Sequence, residues 1–312
     1  MRKRIQFIVN PSELGAGTRG ASLGPQAIIT ASRNKRSRIF ENNDLHVIPD
    51  LNHLLDVSQD SSFAKNINGI KEIYKSVNQA IKNTLENGQF PIILSGDHSS
   101  AGATISAISN FYATKKIGVL WIDAHADLHT PFTTPSGNMH GMPVSTALGI
   151  DNLECKKNEV DDSIIESWNQ LKSKSLDPEN LIFIAVRDTE KEEDYLINQL
   201  NIKNYTVEEV RRLGVQNLTA DLKRKFNGVD ILYASFDVDS MDPILTSHGT
   251  GTPVANGLKP EEAKEILIEV CKLEKLVALE MVEVNPCLDE KKNKMAETAF
   301  EILESITETL EN

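Results

Sequence analysis

The chain has 312 residues, 40% of them hydrophobic and 25% charged, with a formal net charge of −12. That is long enough to bury a large core, and the acidic balance argues against nucleic acid or an anionic membrane as the main partner, since both call for basic surfaces. Cys155, Cys271 and Cys287 are scattered with no CxxC pair, which excludes a cysteine metal site or a disulfide framework and fits a reducing cytoplasm.

The apolar run in MRKRIQFIVNPSE is too short for a signal peptide, and no window approaches eighteen consecutive apolar residues. Taken in chain order, IQFIVN (5–10) reads as a buried strand closed by Pro11, and Pro25 opens a helix over PQAIITASR. LHVIPDL (45–51) is a second strand. Ile67, Ile70, Tyr74, Val77, Ile81 and Leu85 then recur every three or four residues, the mark of a helix with one apolar face, and Gly88 stops it. FPIILS (90–95) is a strand, SAGATISAISNFY a helix and IGVLWI (117–122) a strand. A long polar loop follows. The alternation resumes with LIFIAV (181–186, strand), EEDYLINQL (helix), KNYT (strand), LTADLKRKF (helix), ILYASFDV (231–238, strand), EEAKEILIEVCKL (helix) and LVALEMVEV (276–284, strand). The last helix carries Met295, Ala299, Ile302, Ile306 and Leu310 on one face. Unbroken Val/Ile/Leu runs mark strands covered on both sides. The expected fold is therefore α/β, a doubly wound parallel sheet with helices on both faces, forming a single domain over residues 1–312.

Four of these strands run into turns rich in acids or histidine: GDHS (96–99), DAHAD (123–127), DVDSMDP (237–243) and EVNP (283–286). Ligands of open parallel sheets bind beyond the carboxyl ends of the strands, so the four turns can share one crevice. Asp123, His125 and Asp127 are two residues apart, as are Asp237 and Asp239, and an extended backbone would point each set one way. With His98 they make four carboxylates and two imidazoles, which cannot converge unless cations compensate them. Two divalent ions would balance the charge, and a carboxylate-rich set with two histidines suits Mn²⁺ ahead of Zn²⁺, Fe²⁺ or Co²⁺.

GDHS, DAHAD, SGNMHGMP, SFDVDSMDP, TGTPV and EVNP, in that order, resemble the ureohydrolases, the family of arginases, agmatinases and formimidoylglutamases, and the likeness runs from about Gly15 to the last helix. The resemblance implies an arginase-like α/β domain, two Mn²⁺ per chain, a trimer or hexamer, and hydrolysis of a guanidino group by a hydroxide bridging the two ions. By position, His98, Asp123, Asp127 and Asp237 match the ligands of one ion, and Asp123, His125, Asp237 and Asp239 those of the other. Glu283 matches the acid that grips the guanidinium and His140 the histidine assigned to proton transfer, while Asp127 would relay the hydroxide's proton to the leaving amine. SGN before the His-Gly pair is similar to arginases, with Ser136 and Asn138 placed for a substrate α-carboxylate. Asp188, Glu190 and Glu193 are placed for its α-ammonium, and Thr252 of TGTPV also falls in the substrate set. This implies arginase, converting L-arginine and water to L-ornithine and urea; agmatine, another guanidino acid or formimidoylglutamate is the alternative substrate. Two departures bear on that choice. His129 stands where arginases carry Asn, and ILTSHG, which adds His248, is longer than usual.

GAGTRG (15–20) also fits the GxGxxG pattern of dinucleotide-binding loops, but Gly24 and Pro25 interrupt the helix that should begin at the third glycine, and Asp50 comes about ten residues late for the ribose acid. Its glycines are expected to serve turns at the cleft entrance. His46 and His53 read as surface or core residues, Cys271 as core filler, Trp121 as packing behind the metal turn, and Cys287 carries no chemistry.

Overall fold

The computed structural model describes residues 2–57 and 61–312. Its strands are β1 (Ile5–Asn10), β2 (Asp44–Val47), β3 (Phe90–Ser95), β4 (Ile117–Ile122), β5 (Leu181–Ile184), β6 (Lys203–Tyr205), β7 (Ile231–Asp237) and β8 (Leu276–Val282). The helices are α1 (Gly24–Asn34), α2 (Ile39–Asn42), α3 (Ile67–Glu86), α4 (Ala101–Phe111), α5 (Pro143–Leu148), α6 (Asp162–Leu171), α7 (Lys191–Gln199), α8 (Val207–Leu213), α9 (Val215–Lys225), α10 (Pro260–Cys271) and α11 (Lys294–Glu311).

The eight strands form one sheet in the order β2-β1-β3-β8-β7-β4-β5-β6, and every pairing is parallel. Parallel neighbours need crossovers, and the intervening helices supply them on both faces. Successive strand residues serve opposite cores. Phe7, Ile92 and Leu120 join Ile28, Leu222, Ile266 and Ile306 from α1, α9, α10 and α11. Ile8, Ile93 and Trp121 join Ile70, Ile105, Trp168 and Leu196 from α3, α4, α6 and α7. This is the doubly wound sheet that the continuous apolar runs imply.

The four strands that end in polar turns, β3, β8, β7 and β4, are consecutive in the centre of the sheet. At about 4.8 Å per strand, all four turns fall within roughly 15 Å of one another. Tight packing closes the ring around them. Gly24 opens α1 against the chain after β8, where an added Cβ would lie 2.1 Å from the carbonyl oxygen of Val284. Gly88, at φ +66°, ends α3 as expected.

Several boundaries differ from the sequence reading. β2 stops at Val47 and β5 at Ile184. Ala185 turns to φ +69°, and Arg187 and Asp188 both donate their amides to the carbonyl of Ala124, which draws this segment toward the site. The expected polar loop after DAHAD contains α5 and α6; α6 buries Ile164, Trp168 and Leu171 on one face. The DAHAD and DVD segments are not extended. Asp123 Oδ1 accepts from the His125 amide (2.7 Å) and Asp237 Oδ1 from the Asp239 amide (2.8 Å), so each strand ends in a tight aspartate turn. Convergence of these side chains comes from turn geometry, not from strand alternation. Among the described residues, no helix is long and apolar enough to cross a membrane.

Candidate metal centre

Three strand ends share a pattern that sequence spacing alone did not single out: Asp97-x-Ser99 after β3, Asp123-x-His125 after β4 and Asp237-x-Asp239 at the end of β7. In each, the aspartate accepts the amide two residues on. In Asp97 both oxygens are used, Oδ1 by Ser99 and Oδ2 by the Gly15 amide (2.7 Å). Asp123 and Asp237 keep Oδ2 for the interior of the site.

His98 stands at the middle. Its Nδ1 lies 3.1, 3.2 and 3.3 Å from Oδ2 of Asp123, Asp127 and Asp237. Its Nε2 lies 2.7 Å from Ser235 Oγ, and its ring stacks on Trp121 with centroids 4.1 Å apart. A second group lies alongside, with His125 Nδ1 3.0 Å from Asp239 Oδ2 and 3.5 Å from Asp123 Oδ1. Asp239 Oδ1 accepts from the Ala124 amide (3.1 Å), and Thr252 Oγ1 lies 3.2 Å from Asp239 Oδ2.

Burial and mutual repulsion strain this arrangement. Burial, with Asp123 next to it, pushes the Asp127 carboxyl up to about 6. Burial, with Asp239 and Asp123, holds Asp237 well above the usual carboxylate range. For His98 burial opposes the charge, and the three aspartates override it and raise its pKa well above the ordinary value. His98 Nδ1 and Asp123 Oδ2 are buried without a hydrogen-bond partner among the described residues. A donor atom and a carboxylate oxygen left unpaired face to face is the situation a divalent cation resolves. His98, Asp123 and Asp237 form one set with ligand atoms within 4.8 Å of one another, and Asp123, His125 and Asp239 a second. The residues present therefore fit a pair of cations sharing Asp123. Fixing Nε2 of His98 on Ser235 leaves Nδ1 as the coordinating atom.

Glu283 and His140 stand beside this cluster. His140 Nδ1 lies 3.0 Å from Glu283 Oε1, which also accepts the His98 amide (3.0 Å). Burial disfavours the His140 cation, but Glu283 raises its pKa to about 9. Burial likewise works against the Glu283 anion, and His140 overrides it and lowers its pKa. Glu283 Oε2 is buried and has no partner among the described residues. Glu283 and Asp127 both sit in the left-handed backbone region, at φ +67° and +51°. Such positions cost about 1–3 kcal/mol each and persist only where surrounding structure enforces them. The Glu283 amide bonds to the carbonyl of Gly96, and the Asp127 carbonyl accepts from the Val144 amide.

The pocket over the cluster is lined by His129, Ser136, Asn138, Glu190, Glu193 and Thr252 as well as by His140 and Glu283. Asp188, expected beside Glu190, is not on the pocket wall; its Oδ2 lies 3.5 Å from His125 Nε2 on an exposed side chain. His129 Nε2 is 2.7 Å from Glu190 Oε2, and burial raises the Glu193 carboxyl to about 7. His248 pairs with Glu290 on the surface, and His46 and His53 are exposed. Residues missed by the sequence reading are Asp97, Ser235, Lys65 and Thr133. The repeated Asp-x-polar spacing at three strand ends was a signal for Asp97; Lys65, in an ordinary polar run, had none. The GAGTRG loop is occupied from within, because Glu13 Oε2 accepts the amides of Gly20 and Ser22, and Gly20 opens only a single 3-10 turn, with α1 starting at Gly24. A phosphate would find those donors already used.

The chain matches the arginase family across residues 3–308. It is 33% identical to an arginase of Staphylococcus aureus over 308 residues, 96% of each chain. The solved arginase of Bacillus subtilis superposes with a TM-score of 0.80 at 31% identity, covering 97% of this chain and 98% of that one. An Entamoeba histolytica arginase solved in complex with L-ornithine superposes at 0.85, with 24% identity and 98% and 99% coverage, which speaks to the fold. Fold and relatives together define the class, a ureohydrolase. More particularly, the chain belongs to the arginase family, whose members depend on metal.

Proposed function

We propose that the protein is an arginase, hydrolysing L-arginine to L-ornithine and urea with two Mn²⁺ held by His98, Asp123, Asp127 and Asp237 and by Asp123, His125, Asp237 and Asp239. Bound there, the ions would supply a water nucleophile ionised near neutral pH. The observation that carries the substrate class is Glu283: a buried carboxylate on the pocket wall whose Oε2 has no partner among the described residues. A buried carboxylate with one oxygen free in this way accepts a planar cation through charge-assisted hydrogen bonds, and the guanidinium has that shape and charge. Guanidinium seated on Glu283 would lie in the same pocket as Asp127 and Asp237. Asp127, on the pocket wall beside the cluster, would take a proton and return it to the leaving amine. His140, raised to about 9 by Glu283, would be a cation at neutral pH and able to donate during product departure. Ser136 and Asn138 would face the α-carboxylate.

Residues 1–312 would act as one arginase-like domain, in a cytoplasm where the three free cysteines stay reduced. Exposed Ile244 and Leu245 offer apolar surface for the trimer or hexamer that the family resemblance implies. The deciding experiment is urea release from L-arginine by Mn²⁺-loaded protein, with two ions per chain by elemental analysis. Glu283→Gln is expected to lose about 10²-fold or more of turnover while retaining its ions; near-normal turnover would refute the guanidinium role. Agmatine as the better substrate would favour the alternative.

A further inference from the structure

The outer end of the pocket is built differently from a site that grips an α-ammonium. His129 is buried, and both of its ring nitrogens are engaged within the protein, Nε2 at 2.7 Å from Glu190 Oε2 and Nδ1 at 3.2 Å from Thr133 Oγ1. Glu193 is occupied as well: its Oε1 accepts the Leu128 amide (3.0 Å) and its Oε2 the Glu190 amide (3.1 Å). Oε2 of Glu193 also lies 3.6 Å from His129 Nε2. Glu193 therefore has a donor on each oxygen, and Glu190 has His129 on Oε2. The His129 imidazole thus engages a carboxylate oxygen that an ammonium could otherwise use.

The carboxylate side shows the opposite arrangement. Thr134 Oγ1 accepts the amides of Ser136 and Gly137, and Ser136 Oγ accepts the Asn138 amide, so the loop is held in shape before any ligand arrives. Lys65 clamps it from outside: its amide donates to the Gly137 carbonyl (2.9 Å) and its Nζ to Asn138 Oδ1 (3.0 Å). With Oδ1 taken by the ammonium, the donor end of the Asn138 amide is the one left over, and a positive charge lies one hydrogen bond from the pocket wall. Both features favour an anion.

We infer that this pocket reads its substrate through the carboxylate and draws little from the α-ammonium, so that it takes ω-guanidino acids with or without an α-amine. His129 and Lys65 are the specificity-determining residues, His129 by occupying Oε2 of Glu190, Lys65 by positioning Asn138. The inference rests on the guanidino-acid reading of the pocket given above.

The test uses the full Mn²⁺-loaded chain with three probes: L-arginine, δ-guanidinovalerate (arginine without its α-amine) and agmatine (arginine without its carboxylate). KM and kcat are measured for wild type, His129→Asn, Lys65→Met and Lys65→Arg. Calorimetric Kd values for L-ornithine and δ-aminovalerate give a readout that needs no turnover. Wild type should bind the des-amino compounds within about tenfold of the amino acids, a difference of one hydrogen-bonded charge or less. His129→Asn should widen that ratio in favour of the amino acids by about tenfold, because acceptors on Glu190 become free. Lys65→Met should raise KM for arginine and δ-guanidinovalerate about tenfold more than for agmatine, with kcat less affected, and Lys65→Arg should restore it. An unchanged amino to des-amino ratio in His129→Asn, or equal KM increases for arginine and agmatine in Lys65→Met, would overturn the inference. Failure to release urea from any probe would overturn the arginine reading alone, since the two product affinities would still decide this one.

Discussion

His140 and Glu283 form a pair whose two titrations have opposite signs, and this gives the metal-free protein a pH signature. His140 is raised from 6.5 to about 9 in the fold. Its contribution to stability is fully present below pH 6.5 and is lost as pH rises through about 9. Glu283 is depressed below its ordinary 4.5, so its share is present above that value and lost as pH falls through the lower one. Thermal or urea unfolding of chelated protein should show stability falling between pH 6.5 and 9. His140→Gln should flatten that limb. An identical pH profile in the variant would show that the pair contributes nothing.

At the level of whole elements, the central strands are tied by a buried carboxylate on β8 that no sequence motif announced. Glu280 accepts hydroxyl hydrogen bonds from Ser95 on β3, Thr104 on α4 and Tyr233 on β7, at 2.6–2.7 Å. It thereby links the three strands whose ends carry His98, Asp237 and Glu283. Glu280→Leu would leave those hydroxyls without their acceptor and should cost about 3 kcal/mol, whereas Glu280→Gln, around which hydroxyls can rotate, should cost less. Denaturation midpoints measure both, and a Leu variant as stable as wild type would refute the linkage. The strands themselves were legible because their apolar runs are continuous: every expected strand exists, with ends displaced by a few residues. Helix α6 was not, because only Ile164, Trp168 and Leu171 mark its buried face within a polar stretch. Helix α8 was missed although Thr206 and Glu209 form a capping box at its start. The candidate site was legible as four strand ends. What spacing could not show is that β3, β8, β7 and β4 would be neighbours, since the order of strands in a sheet depends on how crossovers pack. Nor could it show that DAHAD and DVD would turn, which their own side chains bring about.

For the whole molecule, the cost of the cluster depends on what occupies it. Asp123, Asp127, Asp237 and Asp239 are all nearly inaccessible to solvent, and without cations the charges nearest them are the imidazoles of His98 and His125. A ligand present at a thousandfold excess over its Kd adds about 4 kcal/mol to stability. At roughly 2–4 °C per kcal/mol for chains of this size, chelation should lower the melting temperature by about 10 °C, and Mn²⁺ should restore it. Calorimetry with and without EDTA checks this; equal melting temperatures would mean that the cluster does not hold ions. A net charge of −12 adds a long-range pull on cations that salt would weaken.

The aspartate turns at the strand ends also set the outcome of the mildest available mutation. In Asp237 one oxygen is committed to the amide of Asp239, and the other faces His98. An asparagine there must keep its carbonyl on the turn's N–H, which swings its –NH₂ inward and presents hydrogens to a place that calls for lone pairs. Reversing the amide would instead break the turn. So near-identical shape offers no protection: Asp237→Asn should bind manganese no better than Asp237→Ala in a competition titration, and a clearly tighter Asn variant would show that the turn yields more easily than its geometry implies.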